Sequence, residues 1–424
     1  MRGYRLVVAA GLVLATMAAC GGAPSIPTLT VADVKRQQPA ADAPVGDVAR
    51  ALTNLGYELE TSAFPAGGNS VMSPLSVGYA FAMARAGAGG ATAAQLDRVL
   101  GFPTTGLHDA FNAITGKLVT ADTPPAKPDK PHEGAVRPSV VCVGEALFPQ
   151  RGQPVGDQFL RTLAVQYGAG VHPVDFGSGR ATDIINEWVR QQTAGRVKKL
   201  FDSLSSDTKL VLANTVYLRA DWARQLFAEG GVTPQPFTRT GGGTVSVPMM
   251  HAQDEMSYAA DAGWQAVEVP FADGRLAMRI LLPANAPSAQ SPAQLLAPAT
   301  MAAVSAALHP TDVELTLPRW DFASDLDLVA ALRALGLTLP FTPGADFSGI
   351  TPGLYIDQAV HRANITVDEW GTEAAAVTGL SFATAGKAPA KTVMTVDRPF
   401  AFAVMHTATG VPLFVGQVSD PSAH

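Results

Sequence analysis

Apolar and polar positions follow two rhythms along the chain, one typical of helices and one typical of strands. Helical spacing predicts four helices, over residues 45–60, 73–87, 90–100 and 181–193. The second of these opens with Ser73 and a proline and closes at a glycine, a good pair of helix boundaries. Strand-like alternation predicts seven strands, over residues 140–147, 209–218, 264–269, 276–282, 313–317, 358–366 and 400–406. Because helices dominate the first part and strands the rest, the order favours an α+β fold.

One segment near the end of the chain fits neither rhythm. Residues 367–392 read VDEWGTEAAAVTGLSFATAGKAPAKT. After Gly371 the side chains are small or apolar, Glu373 is the first charge, and no proline occurs before Pro389. The segment is too polar for a core helix, too small-sided for an ordinary buried strand and too apolar for a linker.

The composition allows a large core and argues against a nucleic-acid partner. The chain has 424 residues, of which 47% are hydrophobic and 16% are charged. A net charge of −6 and a pI near 5.8, without any run of Lys or Arg, argue against a nucleic-acid-binding surface. Cys142 lies in a strand-like stretch, so we expect a small core residue there.

The N-terminus has the layout of a secretion signal. Arg2 and Arg5 precede an apolar run that is too short for a membrane span and ends in small residues before Cys20. Residues 17–20, MAAC, resemble a bacterial lipobox in which Met replaces the usual Leu. We therefore predict a lipoprotein signal peptide over residues 1–19, a lipid-anchored flexible tether over 20–44 and one domain over 45–424. This places the domain on the outer face of the bacterial cell membrane; cleavage with release is the alternative.

No motif of an enzyme is complete. His132 lacks the second His of a zinc-binding helix, and Ser178 lies between glycines too close together for a nucleophile elbow. Ser73 is not followed by the Lys of an SxxK pattern. The stretch RTGGGT, residues 239–244, lacks the end of a phosphate-binding loop and indicates a hairpin turn. We therefore expect no catalytic residue, no metal site and no cofactor.

Five stretches, in order, resemble signature blocks of the serpins. They are NSVMSPLSVGYAFAMARAGAGGATAAQL, VLANTVYLRADW, PFTPGADFSGI, QAVHRANITVDEWGTEA and RPFAFAVMHTATGVPLFVGQVSDP. The resemblance covers residues 45–421 and implies a serpin fold of three β-sheets, eight or nine helices and an exposed reactive-centre loop. It also implies a serine protease inhibitor that is not an enzyme, and we expect it to act as a monomer.

The resemblance explains the odd segment, because the cleaved loop of an inhibitory serpin inserts as a new strand in the large sheet. Every second residue of a strand faces the same side. The residues implied to face inward, none of them charged or proline, are Thr372, Ala374, Ala376, Thr378, Leu380 and Phe382. The hinge implied by the family comprises Gly371, Thr372, Glu373, Ala374, Ala375 and Ala376, with Glu373 facing outward. A non-inhibitory binding or carrier protein on the same fold is the alternative, although such members often break this hinge pattern.

The family also implies residues that control the opening of the sheet. Ser73, Ser76, Asn214 and His361 match its hydrogen-bonded shutter cluster, and Trp222 matches the Trp near the point where insertion begins. From the residues alone, His361 and Trp222 would be core residues, which is compatible with those roles.

The family's usual spacing from the hinge glycine places the cleaved bond at Ala385–Gly386. A small residue there suits elastase-like or subtilisin-like serine proteases. The distance from Gly371 to Pro399 is a few residues longer than usual, which leaves the position of the bond open by one or two residues. Thr384 would serve the same protease class, Lys387 would attract trypsin-like enzymes and Phe382 chymotrypsin-like ones.

Overall fold

The structure is a computed structural model that describes residues 36–125, 136–227, 231–285, 290–372 and 392–423. Eight α-helices lie in these ranges: α1 (Val45–Ser62), α2 (Pro74–Arg85), α3 (Gly90–Leu100), α4 (Leu107–Leu118), α5 (Asp157–Thr162), α6 (Ala181–Gln192), α7 (Pro298–Ala307) and α8 (Leu328–Ala334). A π-helical turn, Leu163–Tyr167, continues α5. Single 3₁₀ turns occur at Phe176–Ser178, Ala223–Gln225, Ala293–Leu296 and Leu339–Phe341.

Fifteen strands accompany the helices in the described part of the chain. They are β1 (Ser70–Met72), β2 (Val140–Pro149), β3 (Gly170–Val171), β4 (Leu210–Asp221), β5 (Val232–Thr238), β6 (Thr244–Ala260), β7 (Trp264–Pro270), β8 (Leu276–Pro283), β9 (His309–Pro318), β10 (Trp320–Asp327), β11 (Val360–Asp368), β12 (Gly371–Thr372), β13 (Thr392–Thr395), β14 (Phe400–His406) and β15 (Pro412–Val418).

The strands form two hydrogen-bonded sheets. The first has six strands in the order β10-β11-β12-β4-β2-β3. The second has nine strands, of which eight follow the order β1-β15-β14-β8-β7-β6-β9-β13 and the ninth, β5, pairs with β6 outside this order. The family resemblance implies three sheets. Here two of them are joined by hydrogen bonds into one continuous nine-stranded sheet. The cause is β6, a strand of 17 residues that pairs with β5 near its start and with β7 at its end.

Local sequence explains the boundaries of the helices near the six-stranded sheet. Ser73 caps α2 as the sequence predicts, since its Oγ accepts a hydrogen bond from the N–H of Ser76 at 3.0 Å and Pro74 follows at the first helical position. The helix α2 is buried around most of its surface and lies beneath β4. Helix α3 ends at Gly101, whose φ of 69° is the left-handed conformation that glycine adopts readily.

The six-stranded sheet is covered on both faces. Its inner face belongs to the main core of the protein, which includes Ala220, Trp222 and Ile365. Its outer face packs against α6 in a second, smaller cluster that contains Trp188, with Val211 and Ala213 of β4. Alternate residues of β4 therefore face opposite cores.

The residues just before α1 lie against the domain. The Nε–H of Arg36 donates to Oδ1 of Asn112 at 2.7 Å, and the N–H of Gln37 donates to the carbonyl of Val165 at 3.0 Å. The signal peptide and most of the tether lie outside the described residues, so their boundaries stay a prediction. Among the described helices, none combines the length and the apolar character needed to cross a bilayer.

Candidate functional site

The site begins at a tight β-hairpin that joins β11 to β12. Val367 pairs with Thr372 and Asp368 with Gly371, which leaves a two-residue turn between them. Oδ1 of Asp368 closes this turn by accepting hydrogen bonds from the N–H groups of Trp370 (2.9 Å) and Gly371 (3.2 Å). Burial raises the pKa of Asp368 to about 7. The strand β12 thus turns back along β11 into the sheet.

Gly371 is required where β12 enters the sheet. Its φ is 145°, and a Cβ added there would lie 2.0 Å from the carbonyl oxygen of Ala220. The next residue, Thr372, pairs with Ala220 and is only 4% exposed. The first residue of the implied inward-facing set therefore already lies in the sheet, between β11 and β4.

Trp222 and an ion pair hold this hairpin in place. The indole Nε1–H of Trp222 donates to the carbonyl of Asp368 at 2.8 Å, and its backbone N–H donates to the carbonyl of Trp370 at 3.0 Å. The indole ring stacks on Phe271 with centroids 4.7 Å apart. Glu369 in the turn pairs with Arg319. Trp222 is a core residue that also fixes the start of β12.

Beyond Thr372, a cleft separates β4 from β11. Each strand is paired along its other edge, β4 with β2 and β11 with β10, whereas the edges that face the cleft share only β12 within the described residues. A cavity of about 380 Å³ occupies this cleft, with residues of α2 at its base and residues of β4 and β11 as its walls. Two strand edges without a partner form a template for another strand.

The four residues of the implied shutter cluster all line this cavity. The backbone N–H of Ser73 donates to Nε2 of His361 at 2.9 Å, which links α2 to β11. Asn214 lies on β4, and neither of its amide atoms has a hydrogen-bond partner within the described ranges. The cluster is thus hydrogen-bonded on the β11 side and unbonded on the β4 side, because the two strands do not meet there.

His361 is neutral at physiological pH. Burial lowers its pKa to about 4, and its Nε2 must lack a proton in order to accept the hydrogen bond from Ser73. The neutral ring avoids a buried charge at the side of the cleft.

Comparison with known proteins agrees with this arrangement. Residues 51–421 match the family described as serpin (serine protease inhibitor). This chain belongs to the serpin family. Members of this family are generally inhibitors of proteases rather than catalytic enzymes.

Two relatives and one solved structure illustrate the match. An uncharacterised serpin-like protein of Thermococcus kodakarensis is 32% identical over 381 residues, which cover 88% of this chain and 86% of that protein. The leukocyte elastase inhibitor of Xenopus laevis is 30% identical and the match covers 84% of this chain and 93% of the relative. The native thermophilic serpin tengpin superposes with a TM-score of 0.76 at 24% identity, over 91% of this chain and 96% of tengpin. The serpin fold is therefore established.

One buried residue beside the serpin's cleft was missed by the sequence analysis. Glu145 on β2 is the direct cross-strand neighbour of Asn214, and burial raises its pKa to about 8. Neither carboxyl oxygen has a hydrogen-bond partner among the residues described. The available signal was a lone acid within the apolar strand sequence VVCVGEALFP.

The remaining site predictions for this serpin lie outside the described residues. These are the lipidated Cys20, the hinge residues Glu373, Ala374, Ala375 and Ala376, and the bond region Thr384, Ala385, Gly386 and Lys387. Within the described ranges, no group of three or more His, Cys, Asp or Glu side chains is placed to hold a metal ion.

Proposed function

We propose that this serpin inhibits serine proteases by covalent trapping, with insertion of its cleaved loop as a strand between β4 and β11. The observation that carries the proposal is β12, which already lies between the two strands and leads into a cleft where, within the described residues, no other strand pairs with β4 or β11. Because β12 pairs antiparallel to both neighbours, the residues that follow Thr372 can continue the same strand.

The register of β12 supports this path. If the strand continues without a bulge, Ala374 and Ala376 would lie beside Ile365 and Ala363 on the inner face. In the same register, Thr378 would lie between His361 of β11 and Asn214 of β4. The one inward-facing polar residue after Thr372 would therefore meet the polar pair of the shutter, where Asn214 lacks a partner. Phe382 would reach Leu210, where β4 begins.

The energy available from such insertion is large. About ten residues paired on both sides form ~10–20 backbone hydrogen bonds, each contributing about 0.5–1.5 kcal/mol net. Together with apolar burial, the gain is on the order of 10 kcal/mol, comparable to the stability of a whole domain. This energy can displace and distort an attached protease.

The trapping step follows from ordinary acyl transfer. The catalytic serine of the protease attacks the carbonyl carbon at Ala385, the bond to nitrogen of Gly386 breaks, and the new amine leaves with a proton. An ester then links the two proteins, and insertion competes with its hydrolysis. The elastase inhibitor among the relatives supports a small residue at the bond, Ala385 or Thr384, with Lys387 as the trypsin-directed alternative.

The direct test is incubation with elastase-like, subtilisin-like and trypsin-like proteases followed by denaturing electrophoresis. We expect a complex with an elastase-like protease that resists boiling in SDS, and a released fragment that begins at Gly386. A fragment beginning at Ala388 would instead assign the bond to Lys387 and the target to trypsin-like enzymes. Cleavage without any covalent complex would leave the non-inhibitory binding or carrier protein as the function.

We also propose that the inhibitor is monomeric and anchored by lipid at Cys20 to the outer face of a bacterial membrane. The supporting feature is the MAAC sequence after a short apolar run. Wild-type protein should partition into detergent and carry an acyl mass increment on its N-terminal peptide, and Cys20→Ser should lose both. A soluble wild-type protein with a free N-terminus elsewhere would contradict the anchor.

A further inference from the structure

A buried ion pair lies at the end of β4 where β12 enters the sheet. The carboxylate of Asp221, the last residue of β4, accepts three hydrogen bonds from Arg137: from its backbone N–H (3.0 Å), its Nε (2.9 Å) and its Nη2 (2.7 Å). The two side chains are only 15% and 8% exposed. Because two guanidinium nitrogens contact two carboxylate oxygens, the pair fixes the orientation of the carboxylate as well as compensating its charge.

The segment that carries Arg137 is itself anchored to other parts of the protein. The backbone N–H and the hydroxyl of Ser139 donate to the carboxylate of Asp273, in the turn between β7 and β8, at 3.3 and 3.2 Å. The hydroxyl of Thr120 donates to the carbonyl of Ser139 at 3.2 Å and accepts from the N–H of Val141 at 2.9 Å. Arg137 therefore holds its partner from a fixed position.

The backbone of Asp221 is a template for β12. Gly371 pairs with Asp221, and Thr372 pairs with Ala220. The approach is close, since a Cβ added at Gly371 would lie 2.8 Å from Cα of Asp221. The carbonyl of Asp221 accepts a hydrogen bond from the N–H of Ala272 at 2.8 Å. The position of Asp221 therefore affects where β12 enters the sheet.

We infer that Arg137 is a positioning residue for insertion, because it holds Asp221, and with it the end of β4, where the inserting strand begins. The inference rests on the proposed function, since it concerns the rate at which the cleaved loop inserts. A partner that is already held in place loses less conformational entropy when a new strand pairs with it.

The ion pair would act at the step that decides between trapping and release. Insertion competes with hydrolysis of the ester that links the two proteins, so slower insertion releases more active protease. Arg137 takes no part in the attack of the protease on the loop. Loss of the pair should therefore convert part of the inhibitor into a substrate without changing the rate of cleavage.

The test compares wild type with Arg137→Gln, Asp221→Asn, the double variant and Arg137→Lys. Each is incubated with a serine protease that the wild type traps. Two quantities are measured: the rate constant of loop cleavage and the ratio of covalent complex to released cleaved inhibitor.

We expect an unchanged cleavage rate and a ratio about three- to ten-fold lower in Arg137→Gln and in Asp221→Asn. The double variant should match the worse single variant, because both changes remove the same interaction. Arg137→Lys keeps the charge but not the two-nitrogen contact, so its ratio should lie between those of wild type and Arg137→Gln. Effects that multiply in the double variant, or wild-type ratios in both single variants, would overturn the inference.

Arg85→Gln is the matched control for a general loss of stability. Nε and Nη2 of Arg85 donate to the two carboxylate oxygens of Asp97 at 2.6 and 2.9 Å, in a pair that joins α2 to α3. Its loss should lower the thermal midpoint about as much as Arg137→Gln does and leave the trapping ratio at the wild-type value. An equal fall of the ratio in both variants would show that stability alone is responsible, and Arg137 would have no positioning role.

A second measurement separates this inference from the function on which it rests. The loop is cut by a protease that is not inhibited, and the rise in thermal midpoint on cleavage is compared between variants. If wild type neither traps protease nor gains stability on cleavage, the proposed function fails and the inference fails with it. If wild type does both and the variants at Arg137 trap equally well, only the inference is wrong. Should Arg137→Gln fold poorly, Arg137→Lys against Arg85→Lys still decides the question.

Discussion

The two sheets of this protein differ in how completely they are paired. In the nine-stranded sheet, β8 and β14 are buried at every position and pair with a strand on each side. In the six-stranded sheet, β4 and β11 flank a cleft bridged at one end by a strand of two residues. Within the described residues, the central strands of the first sheet are paired on both sides, whereas the second sheet has a gap between β4 and β11 beyond β12.

Buried polar groups without a partner follow the same division. Among the described strand residues of the nine-stranded sheet, Nε of Arg279 is such an atom. In the six-stranded sheet the set includes side-chain atoms of Glu145, Asn214, Thr215, Arg219 and Trp320. Native proteins usually satisfy such groups. Two of these residues, Asn214 and Thr215, line the cleft, so a strand added there can supply partners for them.

Cleavage of the chain should reveal the largest difference between the two sheets. Cutting within residues 380–388 should raise the thermal midpoint by about 10 °C or more, because insertion contributes on the order of 10 kcal/mol. The measurement is calorimetry before and after limited proteolysis. A nick in the exposed turn at residues 239–243, between two strands of the nine-stranded sheet, is the control and should not stabilise the protein. An unchanged midpoint after loop cleavage would mean that the cleft is not a site for insertion.

Thr372→Arg should have the next largest effect. The side chain at this position is buried in the sheet, and an unpaired charge there costs about 3–5 kcal/mol. Insertion of the loop should therefore become slower than hydrolysis of the ester that links it to the protease. We expect cleavage at the same bond, release of active protease and at least a ten-fold drop in the yield of covalent complex. Val393→Arg, at a position 59% exposed on β13, is the matched control and should trap normally. Equal trapping by both variants would contradict the inward orientation of Thr372.

Glu145→Gln should stabilise the uncleaved protein at neutral and higher pH. The folded protein holds the proton of Glu145 up to a pKa of about 8, whereas the ordinary value is 4.5, so wild-type stability falls as the pH rises between these values. Removal of the acid should raise the free energy of unfolding by on the order of 3 kcal/mol at pH 7 and change it little at pH 4.5.

The measurement is the thermal midpoint across this pH range, with the exposed Glu58→Gln as control. Burial also raises the pKa of Glu60 to about 8, so a smaller slope should persist in the variant. The same midpoint difference between Glu145→Gln and wild type at pH 4.5 and pH 7 would show that the carboxyl is ionised in the fold.

His361→Gln should have a smaller effect, with the opposite pH dependence. The folded pKa of His361 is about 4 against an ordinary 6.5, so wild-type stability is lost as the pH falls below 6.5. Gln can still accept the hydrogen bond from Ser73. At pH 5.5 the variant should keep about 1 kcal/mol of unfolding free energy that the wild type loses through protonation of His361. The exposed His309→Gln is the control for thermal midpoints at pH 7 and 5.5. An identical acid-side slope in His361→Gln and wild type would contradict a buried neutral ring.

Local patterns predicted the elements whose boundaries depend on neighbouring residues. Helix α3 spans the predicted residues, because a glycine at each end limits it. The predicted strand over 358–366 was displaced and runs instead from Val360 to Asp368, since its end is set by the pairing of Asp368 with Gly371. Strand β6 was missed, because its sequence TVSVPMMHAQDEMSYAA changes partners along its length and shows no single alternation.

The sequence by itself determined which residues can form the inserting strand. Small inward positions, one outward charge and the absence of proline follow a period of two that any strand obeys, whatever its partners. Only the tertiary structure decided that Thr372 is already inside the sheet and that Glu145 is buried beside Asn214. Register and burial depend on strands brought together from distant parts of the chain, and a local pattern does not contain that information.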